Sequence, residues 1–206
     1  VSESIDNQEL IDAVGEFHRR GWCLATGGNF SRRLGPDRMS ITASGGDKGR
    51  LTGRRFLQAD LDGRVPDGDL TPSAETLLHA SLYRLDERIG AVLHTHSVPA
   101  TVLSRLETGD WLTIEGYEMQ KALGGNSTHD ADIRVRIFDN TQNIAALAER
   151  VARVWERDIR QPGFLVRGHG LYAWGADVAQ AKRHVEGFEF LFACELEQRR
   201  VSGVSG

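Results

Sequence analysis

The chain has 206 residues, of which 40% are hydrophobic and 26% charged. That is enough for one hydrophobic core and excludes a disordered or fibrous protein. Asp and Glu number 29 against 25 Lys and Arg, a formal net charge of −4. With the signs intermixed, no nucleic acid is expected as a partner, although a small anion needs only a few local donors. Two distant cysteines, Cys23 and Cys194, exclude a disulfide framework and suit a reducing cytoplasm. The polar, acidic start VSESIDNQEL is unlike a leader, and no apolar run is long enough to imply a membrane span.

In chain order, one domain over residues 1–206 is expected, with no repeat and no low-complexity linker. A first helix runs from about Asn7 to Arg20, with Leu10, Ile11, Val14 and Phe17 on one face and a stop at Gly21. A glycine-rich turn, ATGGNFSRR, precedes a strand in RMSITASG and a second loop, SGGDKGRLTG. In LTPSAETLLHASLYRL, Ser73 is a candidate cap, and from Thr76 an apolar face continues through Leu77, Leu78, Leu82 and Leu85. AVLHTH reads as a buried strand ending in histidines, and residues 98–107 as a helix.

Alternation in DIRVRIF, Asp132 to Phe138, predicts another strand, followed by a helix from about Thr141 to Arg157. FLVRGHGLYAWG reads as two short strands around a glycine-flanked turn. The last helix starts near Ala176, with Val178, Ala181, Val185, Phe188, Phe192 and Leu196 on its apolar stripe. The closing VSGVSG reads as a frayed tail. The sum is a layered α/β protein whose hairpin-like pieces favour a mixed or antiparallel sheet.

Chemistry concentrates at His94 and His96. Residues two apart on a strand point the same way, so HTH sets two imidazoles side by side, as two ligands of one ion require. Imidazole suits zinc, iron, nickel and cobalt and does not choose between them. His169, between Gly168 and Gly170, is the natural third ligand, leaving a coordination position open for substrate or water. His18, His79, His129 and His184 read as structural or surface residues.

Three segments are candidate phosphate cradles: ATGGNFS with Thr26, Gly27, Gly28, Asn29 and Ser31; TASGGDKG with Ser44, Gly45, Gly46 and Lys48; and TPS with Thr71 and Ser73 at a helix start. None is a P-loop or a dinucleotide fingerprint. Two carboxylates stand out. Glu75 lies in the first turn of its helix, either as a base or simply as a charge on the helix dipole. Glu118, beside Tyr117 and Met119 in GYEMQKAL, is either an acid/base with a raised pKa in a partly apolar setting or a plain surface glutamate.

Taken in order, TGGNFS, ITASG, PSAETLLH, AVLHTHS and GHGLYAWG resemble the class II aldolase/epimerase/dehydratase superfamily of zinc-dependent sugar-phosphate enzymes, over roughly residues 8 to 198. The resemblance implies an α/β/α sandwich around a largely antiparallel sheet. It also implies a homotetramer with active sites at subunit interfaces and one Zn2+ per subunit on His94, His96 and His169. The substrate phosphate would lie on Gly27, Gly28, Asn29, Ser44, Gly45 and Lys48. The GYEMQKAL segment and the SGGDKG loop are similar to those of the superfamily's dehydratases of methionine salvage. Glu118 would then be the acid/base for loss of water from a methylthio-substituted ketose phosphate, whose tail would rest on Trp22, Cys23, Met119 or Leu123. Glu75 matches the base of the aldolases, so aldol cleavage and 4-epimerisation remain alternatives, as does a non-catalytic interaction module.

Overall fold

Alternation along the central strands divides their side chains between two apolar layers. On β4 (Ala91–Thr95), Ala91 and Leu93 enter one layer and Val92 the other; on β8 (Gly170–Gly175), Leu171 and Ala173 part from Tyr172 and Trp174 in the same way. A computed structural model describes residues 6–203. Its other strands are β1 (Asn29–Arg33), β2 (Arg38–Thr42), β3 (Phe56–Asp60), β5 (Trp111–Ile114), β6 (Ile133–Phe138) and β7 (Gly163–Val166). They form an eight-stranded sheet in the order β3-β2-β1-β4-β8-β7-β6-β5, antiparallel at every pairing except β6 with β7.

Helices α1 (Gln8–Arg19), α3 (Val98–Leu106) and α5 (Val178–Ser202) cover one face. Helices α2 (Thr76–Leu85) and α4 (Ile144–Asp158) cover the other. The expected α/β/α sandwich around a largely antiparallel sheet is what forms. Fully buried Leu93, Leu103 and Phe188 on one side and Leu78, Leu82 and Phe164 on the other each contribute roughly 1.5–3 kcal/mol of transfer free energy. No helix among the described residues is long and apolar enough to cross a membrane.

Several expectations need correction. The ATGGNFSRR turn ends at Gly28, because NFSRR pairs with both β2 and β4 as strand β1. The SGGDKGRLTG loop holds two 3-10 turns, at Lys48–Arg50 and Gly53–Arg55, and leads into strand β3, which had not been expected. Strand β5 was likewise unforeseen. The segment VSGVSG is not frayed throughout: Val201 and Ser202 complete α5, Gly203 takes the left-handed C-cap, and residues 204–206 lie outside the described ones. Glu75 rather than Ser73 occupies the N-cap of α2, although Ser73 Oγ does accept from the Glu75 amide.

The joints beside the metal-ligand candidates are tightly made. β4 ends at Thr95; the His96 amide then donates to the Trp22 carbonyl at 2.7 Å, and Ser97 caps α3 by accepting from the Ala100 amide at 3.1 Å. The β7–β8 turn is clamped by α3: Thr101 donates to the His169 carbonyl at 3.1 Å, and Ser104 Oγ accepts from the Gly168 amide at 2.9 Å. At Gly170 a Cβ would lie 1.9 Å from the Thr95 carbonyl oxygen, so only glycine lets this turn close onto β4.

Candidate metal centre

Register brings the first residues together. Asn29 on β1, His94 on β4 and Tyr172 on β8 lie in one row across the sheet, on the face that α2 covers. The His94 ring is fully buried and stacks on Tyr172, centroids 4.0 Å apart and planes 13° from parallel. His96 and His169 close over it. Nε2 of His94 is 2.8 Å from Nε2 of His96 and 3.3 Å from Nε2 of His169. The three ring centroids are mutually 4.6 to 4.8 Å apart. This is the three-histidine group that the HTH and HG motifs anticipate, and its geometry is capable of holding a metal ion.

The hydrogen bonding supplies a test of fit. His94 Nδ1 donates to the Leu171 carbonyl at 2.8 Å, so in the neutral ring Nε2 carries a bare lone pair. That lone pair faces two other ring nitrogens. A tetrahedral ion with bonds of roughly 2.0 to 2.1 Å holds its ligand nitrogens about 3.3 Å apart, close to the spacings seen. Burial, then the mutual repulsion of the three rings, holds His94 well below the usual imidazole range. Burial holds His96 down to about 4, with His169 and Lys48 adding to the effect. Neutral imidazole is the ligand form, so the donor set fits a divalent cation.

Glu75 faces the trio. Its Oε1 lies 3.4 Å from His169 Nε2 and its Oε2 lies 3.6 Å from His94 Nε2. It makes no side-chain cap to α2; instead Asn29 Nδ2 donates to its Oε2. Beside it, the Tyr172 phenol is pushed well above its ordinary value, first by burial and then by the Glu75 charge.

Outside the histidines lies a cavity of about 400 Å³. All six residues expected around a phosphate, Gly27, Gly28, Asn29, Ser44, Gly45 and Lys48, line it together with Glu75, His96 and His169. Thr26 and Ser73 are also on its wall, whereas Ser31 turns inward to His79. Gly28 has φ +79° and lies so near the His94 carbonyl that a Cβ would be 2.6 Å from it. This close approach is what lets the loop reach strand β4. Lys48 is almost completely buried, its Nζ donating to the Thr26 and Gly46 carbonyls at 3.1 Å each. Burial lowers its pKa.

Glu118 is elsewhere. It begins a 3-10 turn (Glu118–Ala122) packed on α5, its side chain is 71% exposed, and it is not on the cavity wall. Lys121 Nζ donates to it at 2.6 Å and holds its carboxyl below the usual range, with the charge of His129 adding to the shift. Of the two readings left open for Glu118, the apolar setting with a raised pKa is not found within one chain, and the side chain sits as a surface glutamate. Cys23 and Leu123, considered for an apolar wall, are fully buried in the core beneath α1 and α5, and neither Trp22 nor Met119 lines the cavity.

Other features were missed in the sequence. Asn140, Thr141 and Gln142 line the cavity; the helix expected from about Thr141 starts only at Ile144, which leaves these residues in the connection between β6 and α4. His79, read as structural or on the surface, is structural: it is fully buried one turn along α2 from Glu75, between Asn29 and Ser31. Of the rest, His184 is structural: its Nδ1 donates to the Trp174 carbonyl at 2.6 Å and its Nε2 accepts from the Gly124 amide at 3.2 Å. His18 lies 3.3 Å from the Cys23 carbonyl, and His129 is on the surface beside Glu118.

An α/β/α sandwich with three histidines converging at one end of its central strands defines a protein with a site able to hold a metal ion. The family model described as Class II Aldolase and Adducin N-terminal domain matches residues 8–196, and the chain belongs to this family. Among its relatives, a methylthioribulose-1-phosphate dehydratase from Serratia proteamaculans is 55% identical over 198 residues, covering 94% of this chain and 97% of the relative. A methylthioribulose-1-phosphate dehydratase from Pectobacterium atrosepticum is 54% identical over 198 residues, covering 94% and 96%. Among solved structures, L-fuculose-1-phosphate aldolase from Thermus thermophilus superposes with a TM-score of 0.77 at 26% identity, covering 96% of each chain. A second L-fuculose 1-phosphate aldolase gives a TM-score of 0.79 at 24% identity, covering 100% of this chain and 92% of the other.

Proposed function

We propose that this chain is a metal-dependent hydro-lyase that converts 5-methylthioribulose 1-phosphate to 5-methylthio-2,3-dioxopentyl phosphate and water, a step of methionine salvage. The observation that carries the reading is the identity of 55% across nearly the full length of a methylthioribulose-1-phosphate dehydratase, combined with an intact three-histidine cluster. That cluster also argues against a non-catalytic interaction module.

In this reading His94, His96 and His169 hold one Zn2+ per subunit. A bound zinc ion would supply Lewis acidity, drawing charge from the C2 carbonyl and C3 hydroxyl oxygens and making the hydrogen on C3 more acidic. The remaining work falls to the protein. The phosphate sits against Gly27, Gly28, Asn29, Ser44 and Gly45, with the Lys48 ammonium supplying charge, and this remote binding places the sugar for reaction. Glu75, fixed beside the histidines, takes the proton from C3. Protonation of the departing C4 hydroxyl releases water, and the enol left behind tautomerises to the diketone.

We assign that second proton transfer to Glu118. Because it lies outside its own chain's cavity, it has to act in the cavity of a neighbouring copy, which makes the working form a homo-oligomer, proposed to be a tetramer. The two free cysteines suit a cytoplasmic location.

The test is a product assay. Purified, zinc-loaded protein is given 5-methylthioribulose 1-phosphate and the product is followed by mass spectrometry. Metal-dependent loss of one water supports the dehydratase. A second reading, aldol cleavage, is favoured by the position of Glu75 against the histidines. It would split the C3–C4 bond and release dihydroxyacetone phosphate, which the same assay resolves.

A further inference from the structure

Behind Glu75 a line of polar side chains runs through an otherwise apolar layer. Glu75, His79 and Tyr83 are spaced by four, so α2 presents them on one side, and Asn29 and Ser31 are spaced by two, so β1 presents them on the face that meets it. They interleave. Asn29 donates to Glu75 Oε2, His79 Nε2 lies 2.5 Å from Asn29 Oδ1, Ser31 Oγ lies 2.7 Å from His79 Nδ1, and Tyr83 Oη lies 2.8 Å from Ser31 Oγ. His79 and Ser31 are wholly buried and Tyr83 and Asn29 nearly so, in a layer where an unpaired polar group is costly.

The chemistry of the groups gives the chain a single direction. A carboxylate only accepts, so Asn29 presents its NH2 to Glu75 and its carbonyl oxygen to His79. That oxygen also only accepts, so His79 carries its proton on Nε2. Burial keeps the ring neutral, its pKa held down to about 3. Nδ1 therefore accepts from the Ser31 hydroxyl, and Ser31 in turn accepts from Tyr83. Every donor points toward Glu75, and hydrogen bonds aligned in this way polarise one another.

We infer that Tyr83, Ser31, His79 and Asn29 form a one-directional hydrogen-bond chain that occupies Oε2 of Glu75 and leaves Oε1 as its free proton acceptor, with His79 as the key positioning residue. The inference rests on the proposed role of Glu75 in proton transfer. His79 touches neither cavity nor histidine cluster, so its effect passes through Asn29. Its loss should disturb the orientation of Glu75 and leave the metal ligands in place.

The experiment uses the full, zinc-loaded chain. With histidine labelled in 15N, long-range proton–nitrogen spectra at neutral pH read the tautomer of His79, assigned by comparison with His79→Gln. A neutral Nε2–H ring is expected; an Nδ1–H ring or an imidazolium overturns the chain. In parallel, His79→Leu should retain zinc and KM within about twofold while kcat falls about 10- to 100-fold, the range typical of residues that orient a functional group. His79→Gln, which keeps an N–H donor for Asn29, should recover part of that loss. A folded His79→Leu protein with wild-type kcat overturns the inference. If this variant does not fold, the tautomer together with Tyr83→Phe, expected to lose kcat less severely and retain KM, decides the question. Absence of dehydration by the wild-type protein would overturn the functional reading, whereas the tautomer reports on the chain independently of turnover.

Discussion

Glu75 and Glu118 make an instructive pair. Glu75 is 12% exposed, lies within 3.6 Å of two of the clustered histidines, and is held by Asn29 from strand β1. Glu118 is 71% exposed and is held by Lys121 and His129, its own neighbours on the surface. A buried carboxylate aimed at a cation site can act within one chain. An exposed one, damped by a lysine, can act only where another surface covers it. The difference divides the proposed site into a half built by this chain and a half that assembly must supply.

The strongest way to break the comparison is at the histidines. His94→Ala should abolish stoichiometric metal and lower turnover by more than about 10³-fold, because the Lewis acid contributes several kcal/mol to the barrier. Metal analysis alongside the product assay checks both halves of that statement. Activity without metal would remove the basis for the inner half of the site.

Glu118→Gln should lower kcat about 10²- to 10⁴-fold, the usual range for a general acid or base, with zinc content and melting temperature unchanged. A sharper version mixes copies. Subunits carrying His94→Ala and subunits carrying Glu118→Gln, co-assembled after partial dissociation, should recover part of the activity that neither has alone. If no recovery occurs in mixed oligomers of demonstrated composition, Glu118 is not shared between chains.

Under the sheet from the histidines, Glu189 offers a third contrast. It is almost completely buried on α5 and accepts from Thr95 Oγ1 at 2.8 Å, between the two histidines of HTH. Burial pushes its carboxyl up to about 7, against the pull of the Ser97 and Thr95 hydroxyls. Between about pH 4.5 and 7 the folded state keeps a proton that the unfolded state has released, so this residue's contribution to stability falls as pH rises through that window. At most about 3 kcal/mol is involved. Denaturant titrations of wild type and Glu189→Gln should differ in slope across this range and run parallel above it. A pH-independent difference would show that Glu189 does not titrate in the folded protein. The smallest effect is expected at Lys121→Ala. It should relax the Glu118 carboxyl upward toward its ordinary value and move the alkaline limb of the rate profile, which a proton donor sets, to higher pH, with less than about a threefold change in kcat at neutral pH.

The chain's own order of residues determined a good deal. Period-two spacing in HTH put two imidazoles on one side of a strand, and the glycines around His169 freed a turn to meet them; both are local geometry. The long apolar stripes of α1, α2 and α5 were legible for the same reason, as were the six cavity residues, which sit in short, glycine-bearing segments. Tertiary structure alone decided the rest. Strands β1, β3 and β5 exist because distant partners complete their hydrogen bonds, which no local pattern records. His79 is buried because β1 lies over its helix, and Asn140, Thr141 and Gln142 reach the cavity because β6 ends beside it. Glu118 shows the same limit from outside: whether a carboxylate is covered depends on what packs against it, and its own neighbours along the chain leave it in water.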